Sequence, residues 1–136
     1  SILGTDISSQ ILQKAVLGVF KEERIVNIPI ETKKKYFLRS KDRQSRTVRV
    51  VKELRNKVEY RRLNFMDDNY NISDVYDVIF CRNVLIYFNR DTQEKVINKL
   101  CYKLKKGGYL FIGHSESILG MDVPLEQIKP TIFRRK

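Results

Sequence analysis

Apolar residues in this chain gather into short runs that end abruptly in polar side chains. The sharpest break lies in residues 77–88, DVIFCRNVLIYF, where Val78, Ile79 and Phe80 form an unbroken run of β-preferring residues and Cys81, Arg82 and Asn83 follow at once. A run of that kind predicts a strand covered on both faces. Polar groups at the carboxyl end of such a strand fall where open α/β sheets place their ligands, because there the chain leaves the sheet and its side chains face a crevice. An ordinary polar loop after a core strand accounts for the same residues.

The rest of the chain alternates between strand-like and helical spacing. Residues 2–5 are a short apolar run ending at Asp6, after which Ser8 or Ser9 can cap a helix with Ile11, Leu12, Ala15, Val16 and Val19 on one face. An acidic side chain there can accept hydrogen bonds from both ribose hydroxyls of a nucleotide, or simply cap the helix. Pro29 opens a short helix containing Lys33, Lys34 and Lys35. Residues 36–39 and 47–51 then read as two strands, a hairpin that interrupts the alternation and predicts a small β-subdomain at about 36–51. Its loop, residues 40–46, has neither Gly nor Pro, so no tight turn of defined type is expected.

A brief helix is expected over residues 53–57 and a strand over 58–63, followed by Asn64 and Phe65. An amide beside a ring can hydrogen-bond and stack on an adenine; a turn and a core phenylalanine explain the pair equally well. Beyond the central strand, Asp91 and Glu94 make a capping box for a helix carrying Val96, Ile97, Leu100, Cys101 and Leu104, with Lys105, Lys106 and Gly107 as its stop. Residues 109–113 form the next strand, leading into His114, Ser115, Glu116 and Ser117. Residues 124–134 supply two last strands around Lys129 and Pro130, an antiparallel hairpin at the sheet edge.

Composition narrows the picture. The 136 residues suit one domain, long enough to bury a core but short for a complete α/β enzyme. A net charge of +11 suggests an acidic partner or nucleic acid. Cys81 and Cys101 make no disulfide framework and no CxxC, and read as reduced core thiols. No window approaches ~18 consecutive apolar residues and no signal-like segment opens the chain, so a cytoplasmic location is expected.

Several chemistries are excluded. His114 is the only histidine, which removes a multi-imidazole metal site, and two cysteines in apolar surroundings are too few for zinc. His114, Ser115 and Glu116 are sequence neighbours without a GxSxG elbow, so a hydrolytic triad is not expected. There is no Walker A loop, and none of the six glycines makes a GxGxxG. A nucleotide-binding α/β domain brings such a glycine-rich turn about 20 residues ahead of its acidic strand end, so the chain is expected to be a fragment of a longer protein.

Taken in order, GTDIS at 4–8, YFLR at 36–39, VRV at 48–50, RRLNF at 61–65, FCRNVLIYF at 80–88, TQEKV at 92–96 and GGYLFIGHSES at 107–117 span nearly the whole sequence. The set resembles the methyltransferase domain of CheR-type chemotaxis receptor methyltransferases, S-adenosylmethionine-dependent enzymes that esterify glutamate side chains. The resemblance implies an α/β, Rossmann-like methyltransferase fold over residues 1–136, lacking its first strand and carrying a small inserted antiparallel β-subdomain. It implies that an N-terminal helical domain and the glycine-rich cofactor loop are absent, so that the intact parent is active and the isolated fragment inactive.

By the same resemblance, Asp6 holds the cofactor ribose, Asn64 and Phe65 lie beside the adenine, Arg82 and Asn83 lie along the cofactor, and Tyr87 lies near the methyl group. Arg82 or Tyr87 is expected to orient the target carboxylate, with S-adenosylhomocysteine as product. The implied partners are acidic cytoplasmic helices of chemotaxis receptors. A receptor C-terminal peptide could add a strand to the subdomain, although the glycine of members that do this is missing between Arg39 and Val48. A second copy could cover an exposed sheet edge. A non-catalytic receptor-docking module and, on charge alone, a nucleic-acid methyltransferase are the competing classes.

Overall fold

The computed structural model describes residues 1–42 and 44–136, which fall into two units, Ser1–Asp67 and Asp68–Lys136. In the first, β1 (Ile2–Asp6) lies parallel to β5 (Val58–Arg62), in register from Ile2 opposite Val58 to Asp6 opposite Arg62. Parallel partners need a crossover, and its first part is α1 (Ser9–Leu17). Ser8, in an extended conformation, caps α1 by accepting the Ile11 N–H on its hydroxyl at 3.4 Å. Gly18 closes the helix at φ +63°, its N–H donating to the Lys14 and Ala15 carbonyls. Because that left-handed residue turns the chain, Val19 is not the last position of the helical stripe, as its spacing suggested. It opens β2 (Val19–Lys21) instead.

β2, β3 (Phe37–Arg39) and β4 (Thr47–Val50) make an antiparallel sheet in the order β2-β4-β3. A 3-10 turn (Glu22–Ile25) and α2 (Ile30–Tyr36) link β2 to β3, and α3 (Lys52–Arg55) leads from β4 to β5. Ile25 and Val48 are the buried apolar side chains described in this unit.

The second unit holds a four-stranded sheet ordered β6-β7-β9-β8, from β6 (Tyr76–Cys81), β7 (Leu104–Ile112), β8 (Leu125–Lys129) and β9 (Ile132–Arg135). β6 and β7 are parallel and joined by α4 (Arg90–Tyr102), while β9 runs antiparallel to both β7 and β8. Val96, Ile97, Leu100 and Cys101 of α4 and Leu104, Leu110 and Ile112 of β7 are all buried. Each such aliphatic side chain contributes roughly 1.5–3 kcal/mol on burial.

Three expectations are corrected here. The helix is capped not by Asp91 but by Asn89, whose side-chain oxygen accepts the Thr92 N–H at 3.0 Å; Glu94 instead accepts the Asp122 N–H. Leu104, Lys105 and Lys106 belong to β7 rather than to the last turn of the helix, since Leu104 pairs with Tyr76 and is 1% exposed. β6 is covered on one face only. Cys81 is buried, whereas Val78 and Phe80 are 43% and 71% exposed, Phe80 stacking on Phe111 with ring centroids 4.8 Å apart.

Candidate functional site

In the first unit, Asp6 ends β1 half-buried, and its Oδ1 accepts the Ser8 N–H at 2.8 Å. A carboxylate offers about four acceptor sites, so this bond orients the group while using one of them. The adjacent strand end is tied to the same point: the Leu63 N–H donates to the Asp6 carbonyl at 3.0 Å and the Arg62 guanidinium to the Ile7 carbonyl at 3.1 Å. Asn64 follows, its side-chain oxygen accepting the Met66 N–H at 3.0 Å in a turn closed on its own backbone. Asn64 and Phe65 are both half-buried. Asp6, Asn64 and Phe65 are thus gathered at the carboxyl ends of two paired parallel strands.

In the second unit, Arg82 and Asn83 leave the carboxyl end of β6 exposed, and Tyr87, 78% exposed, sits in a 3-10 turn (Leu85–Tyr87). Asn83 adopts φ +58°, a left-handed conformation that asparagine tolerates better than most residues. What holds this segment is a residue that the pattern of the sequence did not single out for the purpose. Glu116, buried to 8% exposure, accepts the N–H groups of Val84 and Leu85 on Oε1, both at 2.8 Å, and those of Asn83 and Gly113 on Oε2 at 3.1 and 2.5 Å. Gln93, also unforeseen, donates from Nε2 to the Leu85 and Phe88 carbonyls, each at 2.9 Å. The only signal in the sequence was an acid three residues past the glycine that ends an apolar strand.

Gly113 is required by close approach: a Cβ there would lie 2.6 Å from the Asn83 side-chain oxygen and 2.7 Å from Glu116 Oε2. His114 and Ser115 are exposed beside this buried carboxylate, so the three sequence neighbours serve different surroundings. Burial pushes the Cys81 thiol up to about 12, and the nearby Glu116 charge adds to the effect. Burial likewise raises Cys101, to about 11. Both are protonated thiols at neutral pH, without the thiolate character that nucleophilic chemistry needs. Among the described residues no helix is long and apolar enough to cross a membrane.

The positive charge is uneven. Residues 1–67 carry sixteen basic and eight acidic side chains, net +8, and residues 68–136 eleven and eight, net +3. Residues 19–51, which contain β2, β3 and β4, hold ten basic against four acidic, net +6. A cavity of about 910 Å³ opens in this subdomain, where Lys21, Lys33 and Arg39 stand beside Ile25, Val26 and Phe37, with Glu23 and with Glu22, which pairs with Arg39 at 3.2 Å.

Several known proteins are similar to this chain. The family described as CheR methyltransferase, SAM binding domain, matches residues 1–133. A chemotaxis protein methyltransferase of Borreliella burgdorferi is 40% identical over 134 residues, covering 98% of this chain and 46% of its own. Chemotaxis protein methyltransferase 2 of Pseudomonas aeruginosa is 35% identical over 132 residues, 97% of this chain and 47% of its own. The chemotaxis protein methyltransferase of Escherichia coli is 36% identical over 116 residues, 85% and 41%. The chain spans about half the length of the curated relatives it matches. A solved structure of an O-methyltransferase family protein from Burkholderia thailandensis aligns at 28% identity and a TM-score of 0.41 over 44% of this chain and 18% of its own, too short a likeness to bear on the fold.

Proposed function

The chain belongs to the CheR methyltransferase family through its SAM binding domain, and we propose that the whole protein transfers the methyl group of S-adenosylmethionine to glutamate side chains of chemotaxis receptors. The match over residues 1–133 carries the reading, and the Rossmann-like α/β fold of that family agrees with the parallel pairs β1/β5 and β6/β7. The residues present fit the donor by their chemistry. Asp6 is a half-buried, hydrogen-bonded carboxylate at a parallel strand end, suited to ribose hydroxyls, and Asn64 and Phe65 on the neighbouring strand end offer an amide and a ring suited to adenine. Arg82 and Asn83 are proposed to lie along the donor.

When bound, S-adenosylmethionine supplies an electrophilic methyl group on a sulfonium. The receptor glutamate, with an ordinary pKa of ~4.3, is already ionised at neutral pH, so the protein needs no general base. Its residues contribute by positioning, worth ~7–11 kcal/mol in well-oriented systems. Arg82 or Tyr87 orients the target carboxylate in this reading, Arg82 by charge-assisted hydrogen bonds and Tyr87 through its hydroxyl. The excess of positive charge suits acidic cytoplasmic receptor helices and raises the rate of encounter.

The test is transfer of labelled methyl from S-adenosylmethionine to a receptor cytoplasmic fragment by the whole protein. Base-labile label on glutamates is expected, and its absence overturns the reading. A second, docking role for residues 19–51 is favoured by their net charge of +6 and by the apolar and basic cavity of the subdomain, which together suit an acidic receptor peptide. Deleting the peptide from the receptor tail is expected to weaken capture there. Unchanged capture excludes tethering. Self-association is proposed only through an outer strand such as β8, and sedimentation of the chain decides it.

A further inference from the structure

The carboxylate of Glu116 does something its sequence position does not advertise. It lies beyond the end of β7 yet binds three consecutive N–H groups, Asn83, Val84 and Leu85, that follow the end of β6. Consecutive backbone N–H groups converging after a left-handed residue form an anion-binding concavity, and here the anion is supplied by the protein itself. Gly113 contributes a fourth N–H to the same carboxylate, so the carboxyl ends of two adjacent parallel strands share one buried charge. Burying a carboxylate is costly unless its acceptor sites are filled, and four backbone donors fill them. Gln93 holds the opposite edge of the same segment through its carbonyls. The left-handed Asn83 and the 3-10 turn at Leu85 are thus held from the N–H side by the Glu116 carboxylate and from the carbonyl side by Gln93.

Resting on the methyltransferase reading above, we infer that Glu116 is a positioning residue for the methyl donor: its carboxylate fixes the turn that aims Arg82 and Asn83. Glu116 itself touches neither donor nor receptor in this role. It acts through the backbone of residues 83–85, and the expected signature is a larger loss of donor recognition than of receptor recognition.

The experiment uses the whole protein with Glu116→Gln, which keeps the shape of the side chain but replaces one acceptor oxygen by an NH2 group facing N–H donors. Expected are faster amide exchange across residues 83–85 and a KM for S-adenosylmethionine raised about tenfold, clearly more than any rise in the KM for receptor that follows from Arg82 and Tyr87 beside the same turn. A role confined to stability would lower the thermal midpoint without separating the two KM values. Gly113→Ala perturbs the same clamp from its other side with the charge kept, and is expected to act in the same direction. A donor KM within twofold of wild type in a folded variant overturns the inference while leaving the methyltransferase reading intact, as does unchanged exchange at residues 83–85. If both variants fail to fold, Glu116 is a folding residue and the inference falls. A wild-type protein that transfers no methyl group removes the reading, and the inference with it.

Discussion

The two units hold their strand ends by opposite means. Among the described residues, 68–136 bury fourteen of the sixteen apolar core side chains, and in that unit a long-range clamp from Glu116 holds the turn after β6. The described residues of 1–67 bury two, Ile25 and Val48, while Ile2, Ile11, Val16, Leu17, Val26 and Ile30 are all about half exposed or more. There the side chains of Asp6 and Asn64 are held by bonds to residues two positions away. The difference teaches that proposed ligand residues can be set either by a rigid interior or by local capping, and only the first resists removal of the surrounding chain. The largest test separates the units. Residues 68–136 expressed alone are expected to melt cooperatively by circular dichroism, and residues 1–67 alone to show no transition, because two buried side chains cannot offset the entropy of ordering that length of chain. Cooperative melting of residues 1–67 would break the contrast.

Single substitutions grade the same contrast. Leu110→Ala, at a side chain with no exposure, is expected to cost about 2–5 kcal/mol in urea unfolding, the transfer free energy plus the cavity left behind. Ile11→Ala, 48% exposed on α1, is expected to stay within about 0.5 kcal/mol. Equal costs at the two positions would mean that α1 is packed as firmly as β7.

Much of this architecture could be read from the chain alone, in places where local chemistry and final structure agree. The apolar run before Asp6, the hairpin strands β3 and β4, the run at Val78 to Phe80 and the last hairpin all became strands, because β-preferring residues there are bounded by polar stops. The misreadings arose where pairing overruled local signals. Lys105, Lys106 and Gly107 look like a helix terminus, yet Leu104 gains more from burial opposite Tyr76 than from one further helical turn. Spacing could not reveal that the exposed side of β6 ends in a stacked Phe80–Phe111 pair rather than a second core. Most telling is Glu116, more than thirty residues from the three amides of the turn it binds, since nothing local marks an acid as the acceptor for a distant turn. Gln93 was hidden although its partners, the Leu85 and Phe88 carbonyls, lie only eight and five residues away, because a glutamine in a helix carries no mark of a backbone partner outside it.

A smaller effect is expected at the locally capped strand end. Asp6→Ala removes the acceptor for the Ser8 N–H, and loss of that hydrogen bond costs about 1 kcal/mol of stability. In the whole protein it is also expected to weaken S-adenosylhomocysteine at least tenfold by calorimetric titration, since bonds to a charged acceptor are lost. An unchanged affinity would withdraw Asp6 from the donor site. The cysteines probe the other unit more gently. Cys81 and Cys101, raised above their ordinary 9.0 to about 12 and about 11, are neutral in the folded chain where the unfolded chain would ionise. The stability they contribute is fully present below pH 9 and is lost as pH rises toward 11 to 12. Alkylation by iodoacetamide at pH 8 is expected to be slow in the folded protein and fast in urea, and prompt labelling of the native chain would show the interior to be open.

The smallest expected effect sets two carboxylates of the same unit against each other. Asp77 on β6 is exposed and pairs with Lys105 of β7 at 2.8 Å, whereas Glu116 is buried among backbone donors. The Lys105 hydrogen bond and charge hold the Asp77 carboxyl below its ordinary 3.8. A depressed acid stabilises the fold above its unfolded value and loses that contribution as pH falls through the folded one, so the pair matters only for resistance to acid. Solvent screens it so strongly that Asp77→Asn is expected to leave the thermal midpoint at pH 7 within measurement error and to shift acid unfolding slightly toward higher pH. Glu116→Gln, by contrast, should alter exchange of residues 83–85 at pH 7, because its partners are backbone N–H groups that water cannot replace at that depth. If Asp77→Asn proved the more damaging change, surface charge rather than the buried clamp would be what holds the ends of β6 and β7.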